Sequence, residues 1–267
     1  MRALWLTDTH TTFSFLWKKY SLVKYIKNKK VDAVIITGDI SNGLFVDYIL
    51  YYLASHLRNI EIYFVIGNHD LWFRDIEDVY DDLRKLTETY KNLHWLTEKD
   101  AIELTKDVAI IGNDGWYSCR VDNDFEYKFT FDWMLINDFR KMKSMEERIE
   151  AFKQKSLESA KDIEGKLINA IDAGYKTIFL ATHVPPFKET NMNTGWFAET
   201  RNAYDTNDYM GESIKKIMSK HPEKNLICLS GHTHYNVSAK ISNNIECRTN
   251  KANYFSVRFA NEELINI

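Results

Sequence analysis

Six short apolar runs, ALWLT, DAVIIT, EIYFVI, DVAIIG, KTIFLAT and NLICLS, constrain this chain more than any other feature of its sequence. They are rich in β-branched and aromatic residues and alternate little, the pattern of strands buried on both faces. Between the first three lie FSFLWKKYSLVKYIKNKK and FVDYILYYLASHLR, whose apolar residues recur at three and four, as in helices that cover a sheet. Strand, helix and strand within about 30 residues make a βαβ unit, and two in succession predict parallel strands with right-handed crossovers. The opening third is therefore α/β.

Further along, DIEDVYDDLRKLTETYK reads as a polar-faced helix, and LHWLTEKDAIELTKDVAIIG as extended runs separated by Lys-Asp turns, hence hairpins and a mixed sheet. Strand signals vanish between about 117 and 173, where SMEERIEAFKQKSLESAKDIEGKLINAIDAG predicts a long helix ending at Gly174. That stretch is read as a helical insert or cap. YNVSAKI, NIECRT and NYFSVRFA return the chain to β structure. Without repeats, low-complexity segments or a proline-rich linker, residues 1–267 are read as one globular unit.

Composition excludes several classes. With 45% hydrophobic residues the chain buries a sizeable core. A net charge of −3 gives no footprint of a general nucleic-acid or anionic-membrane binder. No window approaches the roughly 20 apolar residues needed to span a bilayer, and the start, MRALWLTDTH, reads as a first strand rather than a signal segment. Cys119, Cys228 and Cys247 are odd in number and lack metal-binding spacing, so reduced thiols and a cytoplasmic location are expected.

The polar residues fall in one place on this frame. The first strand ends in Asp8-Thr9-His10, the second in Gly38-Asp39, the third in Gly67-Asn68-His69-Asp70, and two later strands in His183 and in His232-Thr233-His234. The carboxyl edge of a parallel sheet is where ligands bind. Carboxylate, amide and imidazole donors without thiolate suit borderline or hard divalent ions such as Mn, Fe, Zn or Ni. Asp8, His10, Asp39, Asn68, His183, His232 and His234 outnumber the ligands of a single ion, and with one bridging they fill two adjacent sites. Two such ions can hold a bridging hydroxide and clamp the oxygens of an in-line phosphoryl displacement.

The motifs DTH, GDISN, GNHD, ATH and GHTH, in that order between residues 6 and 234, resemble those of the calcineurin-like metallophosphoesterases. That resemblance implies a four-layer αββα sandwich of two mixed sheets flanked by helices, with two metal ions at its carboxyl edge. By it, Asp8, His10, Asp39 and His234 hold the first ion, and Asp39 bridges to a second completed by Asn68, His183 and His232. His69 stabilises the transition state and protonates the leaving oxygen, and Asp70 orients His69. Gly38, Gly67 and Gly231 are expected to let the backbone turn without a Cβ penalty. The chain lacks the arginine of GDxxDRG and carries GNHD for GNHE, which separates it from the Ser/Thr protein phosphatase branch. Asn42 either supports the site or caps the following helix.

His56, His94 and His221 lie outside the motifs and read as structural. Trp116, Trp196 and their aromatic neighbours either stack a nucleobase or pack the middle stretch onto the sheets. Arg201, in the long loop GWFAETRNAYDTNDYMG, either holds a phosphate or is solvated, and Lys27, Lys29 and Lys30 read as solvated charges at a helix end. Three functions stay in view: a metal-dependent phosphoesterase on a small, nucleotide-like mono- or diester, a nuclease on DNA or RNA, and a non-catalytic binding module such as the retromer subunit that resembles this family. The intact His69 and ligand set speak against the last.

Overall fold

The computed structural model describes residues 1–11, 16–120, 130–192, 198–251 and 263–267, without the side chains of 16, 198–201 and 263. Among these residues the chain builds two sheets. In the first, β1 (Arg2–Leu6), β2 (Ala33–Thr37), β3 (Glu61–Val65) and β4 (Leu93–Trp95) run parallel, and β11 (Glu263–Asn266) pairs antiparallel with β1. The second has the order β5 (Ile102–Thr105), β6 (Val108–Asn113), β7 (Thr177–Thr182), β8 (Asn225–Ser230), β10 (Ile245–Thr249) and β9 (Val237–Ser242). Its central four strands are parallel and its edges, β5 and β9, antiparallel.

Side-chain alternation shows why these strands are apolar on both faces. In the first sheet Leu4, Leu6, Val34, Ile36 and Phe64 face α1 (Leu16–Lys29), α2 (Val46–His56) and α3 (Ile76–Thr89), while Ala3, Trp5, Ala33, Ile35 and Val65 face the second sheet. In the second sheet Ile178, Leu180, Leu226 and Cys228 pack under α6 (Met145–Asp172) and α8 (Asp208–Met218), and Phe179, Ala181 and Leu229 fill the space between sheets. The result is the expected helix, sheet, sheet, helix sandwich. Along the inner strands β2 and β7 the burial is nearly complete, so two apolar faces were needed and periodicity alone could not declare them.

One departure from the sequence reading has a local cause. LHW does not enter a hairpin: β4 lies parallel to β3, a 3₁₀ turn at Leu96–Glu98 then carries the chain across, and it is β5 and β6 that form the hairpin of this stretch, over Lys106-Asp107. NYFSVRFA lies outside the described residues, and the strand that does close the first sheet is the four-residue ELIN. The long helix, α6, is capped by Ser144, which accepts a hydrogen bond from the Glu147 N–H, and stops just before Gly174 at φ 94°. It joins β6 to its parallel neighbour β7 and packs on β6 and α8. The short α4 (Asp132–Leu135) and α5 (Asn137–Arg140) precede it, and α7 (Ala198–Asp205) precedes α8.

Register sets the edge level, since Leu6 pairs with Ile36 and Ile36 with Phe64, so all three strands deliver their polar sequels at one height. The β3 end is also tied down from behind. Asp114 Oδ1 accepts hydrogen bonds from the Ile66 N–H at 2.8 Å, Trp95 Nε1 at 2.9 Å and Thr97 Oγ1 at 2.7 Å. Lys166 of α6, buried, donates to the carbonyls of Leu96, Thr97 and Gly112 within 3.0 Å and pairs with Asp162 at 2.7 Å. The three cysteines are buried free thiols. No helix among the described residues is long and apolar enough to cross a membrane.

Lys166→Met is expected to lower stability by about 2–3 kcal/mol, because it withdraws the donor shared by three interior carbonyls. Equilibrium urea denaturation measures it, and an unchanged midpoint would mean the ammonium is dispensable.

Candidate metal centre

The exits of β1, β2 and β8 bend into the site through an unusual backbone. Asp8, His10, Asp39, His232 and His234 all adopt left-handed conformations, with φ of 48°, 40°, 49°, 67° and 57°. Such values are uncommon for residues with a Cβ and turn the side chain towards the axis of the loop cluster. The first two exits are laced together, with the Asp8 N–H donating to the Gly38 carbonyl at 3.0 Å and the His10 N–H to the Asp39 carbonyl at 2.9 Å. Of the three glycines only Gly38 has positive φ, at 86°. Gly67 and Gly231 are required for proximity instead of conformation: a Cβ on Gly67 would lie 2.2 Å from Asp39 Oδ1, and one on Gly231 would lie 2.2 Å from Asp8 Oδ2.

All seven residues predicted from sequence as ligands converge. Asp8, His10, Asp39 and His234 each offer a donor atom within 4.8 Å of the others. His234 Nε2 lies 3.0 Å from Asp8 Oδ1, and His10 Nε2 lies 3.7 Å from Asp39 Oδ2. The other oxygen of Asp39 looks elsewhere: Oδ1 is 3.3 Å from His183 Nε2. His183 Nε2 and His232 Nδ1 in turn each approach Asn68 Oδ1 to 3.2 Å. Asp39 thus presents one oxygen to each of two donor sets.

Hydrogen bonds on the far sides of these rings decide what the near sides carry. His183 Nδ1 is 2.9 Å from the Thr37 carbonyl and His232 Nε2 is 2.9 Å from the Tyr204 carbonyl. A carbonyl only accepts, so each of those nitrogens bears the proton, leaving His183 Nε2 and His232 Nδ1 as bare lone pairs. Asn68 Nδ2 donates to Asp132 Oδ1 and Oδ2 at 3.0 and 3.2 Å, which turns Asn68 Oδ1 inward. Two imidazole lone pairs, an amide oxygen and a carboxylate oxygen therefore face one another with no proton between them. That arrangement is unfavourable until a cation enters, and its N/O donor set suits a borderline or hard divalent ion.

Electrostatics agree. Burial holds the His10 imidazole down to about 4, against the pull of Asp8, and His183 down to about 3, so both rings stay neutral and ligand-competent. Burial first, then the carboxylates of Asp8 and Asp70, pushes the Asp39 carboxyl well above its ordinary range. For Asp8 burial works upward too, but the His234 hydrogen bond and the neighbouring imidazoles outweigh it and hold that carboxyl down.

His69 projects over this cluster, its Nε2 3.8 Å from Asp39 Oδ2, with 22% of its side chain open where Asp39 has 1%. Its ring stacks on Trp72, centroids 3.6 Å apart, and its backbone N–H donates to Asp39 Oδ1 at 3.0 Å. Burial followed by His10 and His183 brings the imidazole down to about 2. Asp70 makes its hydrogen bonds to backbone rather than to the His69 ring. Among the described residues its carboxylate accepts from the backbone N–H groups of Ile40 at 3.0 Å, Ser41 at 2.7 Å and Gly67 at 3.0 Å, and so binds two loops together. The 3₁₀ turn at His69–Leu71 points adjacent side chains apart. Burial pushes that carboxyl up to about 6 in spite of its three donors.

The remaining candidates separate. Asn42 Oδ1 accepts from the Leu44 N–H at 3.1 Å, closing the turn that enters α2. Trp116, 5% exposed, packs against Phe139 and Phe152 in the core, its packing alternative. Trp196 and the Arg201 side chain lie outside the described residues. His94 is held by Glu61 at 2.6 Å, and His56 stacks on Tyr52 at 4.0 Å. Sequence reasoning missed Asp132: FTFDW carries no motif, and the residue reaches the site only through space.

A family model described as calcineurin-like phosphoesterase matches residues 1–236. No curated protein matches the chain by sequence. Among solved structures it is similar to a dimetal phosphatase from Danio rerio, at 12% identity and TM-score 0.57, covering 94% of this chain and 87% of that one. It is also similar to TT1561 of Thermus thermophilus, at 11% identity and TM-score 0.55, over 99% and 98% of the respective chains. At such identities these two likenesses speak for the fold.

Gly67→Ala drives a methyl group into Asp39 and His183, and is expected to weaken divalent-ion binding by about tenfold or more while the chain still folds. Calorimetric titration with Mn²⁺ beside a thermal melt checks this; wild-type affinity would mean the loop has slack.

Proposed function

The chain belongs to the calcineurin-like phosphoesterase family and is a metal-dependent phosphoester hydrolase, and from this we propose that it cleaves a phosphomonoester or phosphodiester of a small, nucleotide-like substrate, using Asp39 to bridge two divalent cations. The observation that carries the reading is the division of Asp39, with Oδ2 towards His10 and Oδ1 towards His183.

Asp8, His10 and His234 would complete one site, and Asn68, His183 and His232 the other. When bound, the two cations supply Lewis-acid charge and activate water against phosphorus. The side chains do the rest. The His69 side chain is 22% open where those of His10 and His183 are 4% and 1%, and its N–H can turn towards a phosphoryl oxygen above Asp39. With substrate absent the ring is neutral. A phosphoryl group brings negative charge within contact and raises the ring's proton affinity, so that the ring takes up a second proton from solvent and passes it to the leaving oxygen. Trp72, stacked beneath, keeps the ring from tilting away.

Phe73, next in the chain and 45% exposed, supports a base-like substrate part. The net charge of −3 favours a small phosphoester over a nucleic-acid strand. We take residues 1–267 as one catalytic unit, manganese as the ion for reconstitution, and the buried thiols as those of a cytoplasmic protein. The likeness to a dimetal phosphatase from Danio rerio supports the reading.

The test is turnover of p-nitrophenyl mono- and diesters by metal-stripped, Mn-reconstituted protein. His69→Ala is expected to lower kcat by about 10²–10⁴-fold with ion binding kept. Asp39→Asn should remove two-ion binding and turnover while the fold survives. Activity abolished by single-stranded DNA competitor would favour the nuclease, and absence of metal-dependent turnover on any phosphoester would sink the proposal.

A further inference from the structure

We propose that Asp132 is a positioning residue of the metal centre, fixing which end of the Asn68 amide faces the cations and holding the ring planes of His69 and His232. The proposal rests on the reading of Asn68 as a ligand and of His69 as the group that meets the phosphoryl oxygen.

Asp132 is 2% exposed and lies outside every motif of the sequence. Its carboxylate gathers donors from four residues: Asn68 Nδ2 at 3.0 and 3.2 Å, Trp72 Nε1 at 2.6 Å, Tyr117 Oη at 2.8 Å and Thr130 Oγ1 at 3.3 Å. Three of these lead directly to the site. Asn68 is the candidate ligand itself; Trp72 stacks on His69 with centroids 3.6 Å apart and planes 26° apart; Tyr117 stacks on His232 at 5.8 Å and 19°.

The amide is where chemistry makes the carboxylate specific. An asparagine side chain is nearly symmetric in shape, and only its partners decide whether oxygen or NH₂ points a given way. Both Asp132 oxygens only accept. A flipped Asn68 would set its oxygen against them and turn its NH₂ towards the lone pairs of His183 and His232, where it could donate to the two rings but could not hold a cation. An amide at position 132 abolishes this rule, because it offers a donor as well as an acceptor and tolerates either orientation of Asn68.

The experiment counts Mn²⁺ bound per chain at graded free metal, with thermal unfolding and kcat, in wild type, Asp132→Asn and the exchange variant Asn68→Asp/Asp132→Asn. Wild type should hold two ions. Asp132→Asn should keep the first and weaken the second by about 10–100-fold, with kcat falling in step. The exchange variant restores a donor-to-acceptor pair with an oxygen inward and should regain the second ion, which a purely structural loss would not do. Unchanged second-ion affinity in Asp132→Asn overturns the proposal. If that variant does not fold, the exchange variant decides: folded with the second ion it supports the role, and folded without it overturns it. Fewer than two ions in wild type would instead defeat the reading of the site on which this rests.

Discussion

One carboxylate answers to two groups of donors, and much of the molecule serves to keep it there. Asp39 is wholly surrounded by protein, its oxygens divided between His10 and His183, in a setting that disfavours its charge. Holding an anion in such a place is costly unless cations compensate it. The surrounding loops are bound accordingly: Asp70 ties the second exit to the third, Asp114 ties the third to the chain behind it, and glycines at 38, 67 and 231 remove the atoms that would hold the exits apart.

That arrangement explains the unequal legibility of the sequence. Asp8, His10, Asp39, Asn68, His183, His232 and His234 follow strands directly, and a strand that ends at a known edge places its next few residues within narrow limits. The same logic delivers the sandwich, because runs without alternation demand cover on both faces. Asp132 has no such tether. It comes from α4, and nothing in a linear pattern announces that a side chain sixty-four residues beyond Asn68 will sit against it. The contacts of Asp70 escape a linear pattern for the converse reason, since neighbours in sequence are driven apart by a tight turn. A strand as short as ELIN, and the identity of β7 as partner of β6 across α6, also depend on pairing that periodicity does not encode.

Polarity in this structure is concentrated and layered. Between the sheets the packing is apolar throughout, with Trp5, Ile35, Tyr63 and Phe179 meeting face to face. At the carboxyl edge that layer gives way within a residue or two to buried carboxylates, imidazoles and hydroxyls. The transition is abrupt because the strands stop level, so a low-polarity floor lies directly beneath the charged cluster and leaves its charges little solvent screening from below.

The left-handed backbone at five of the candidate ligand positions carries an evolutionary consequence. Each such residue costs on the order of 1 kcal/mol or more that glycine at the same place would not. Selection for thermostability alone would drift those positions towards glycine and erase the site. The presence of aspartate and histidine at these strained positions marks a chain in which durability has been traded against ion binding, and the strand exits are the wrong place to seek a hardier variant.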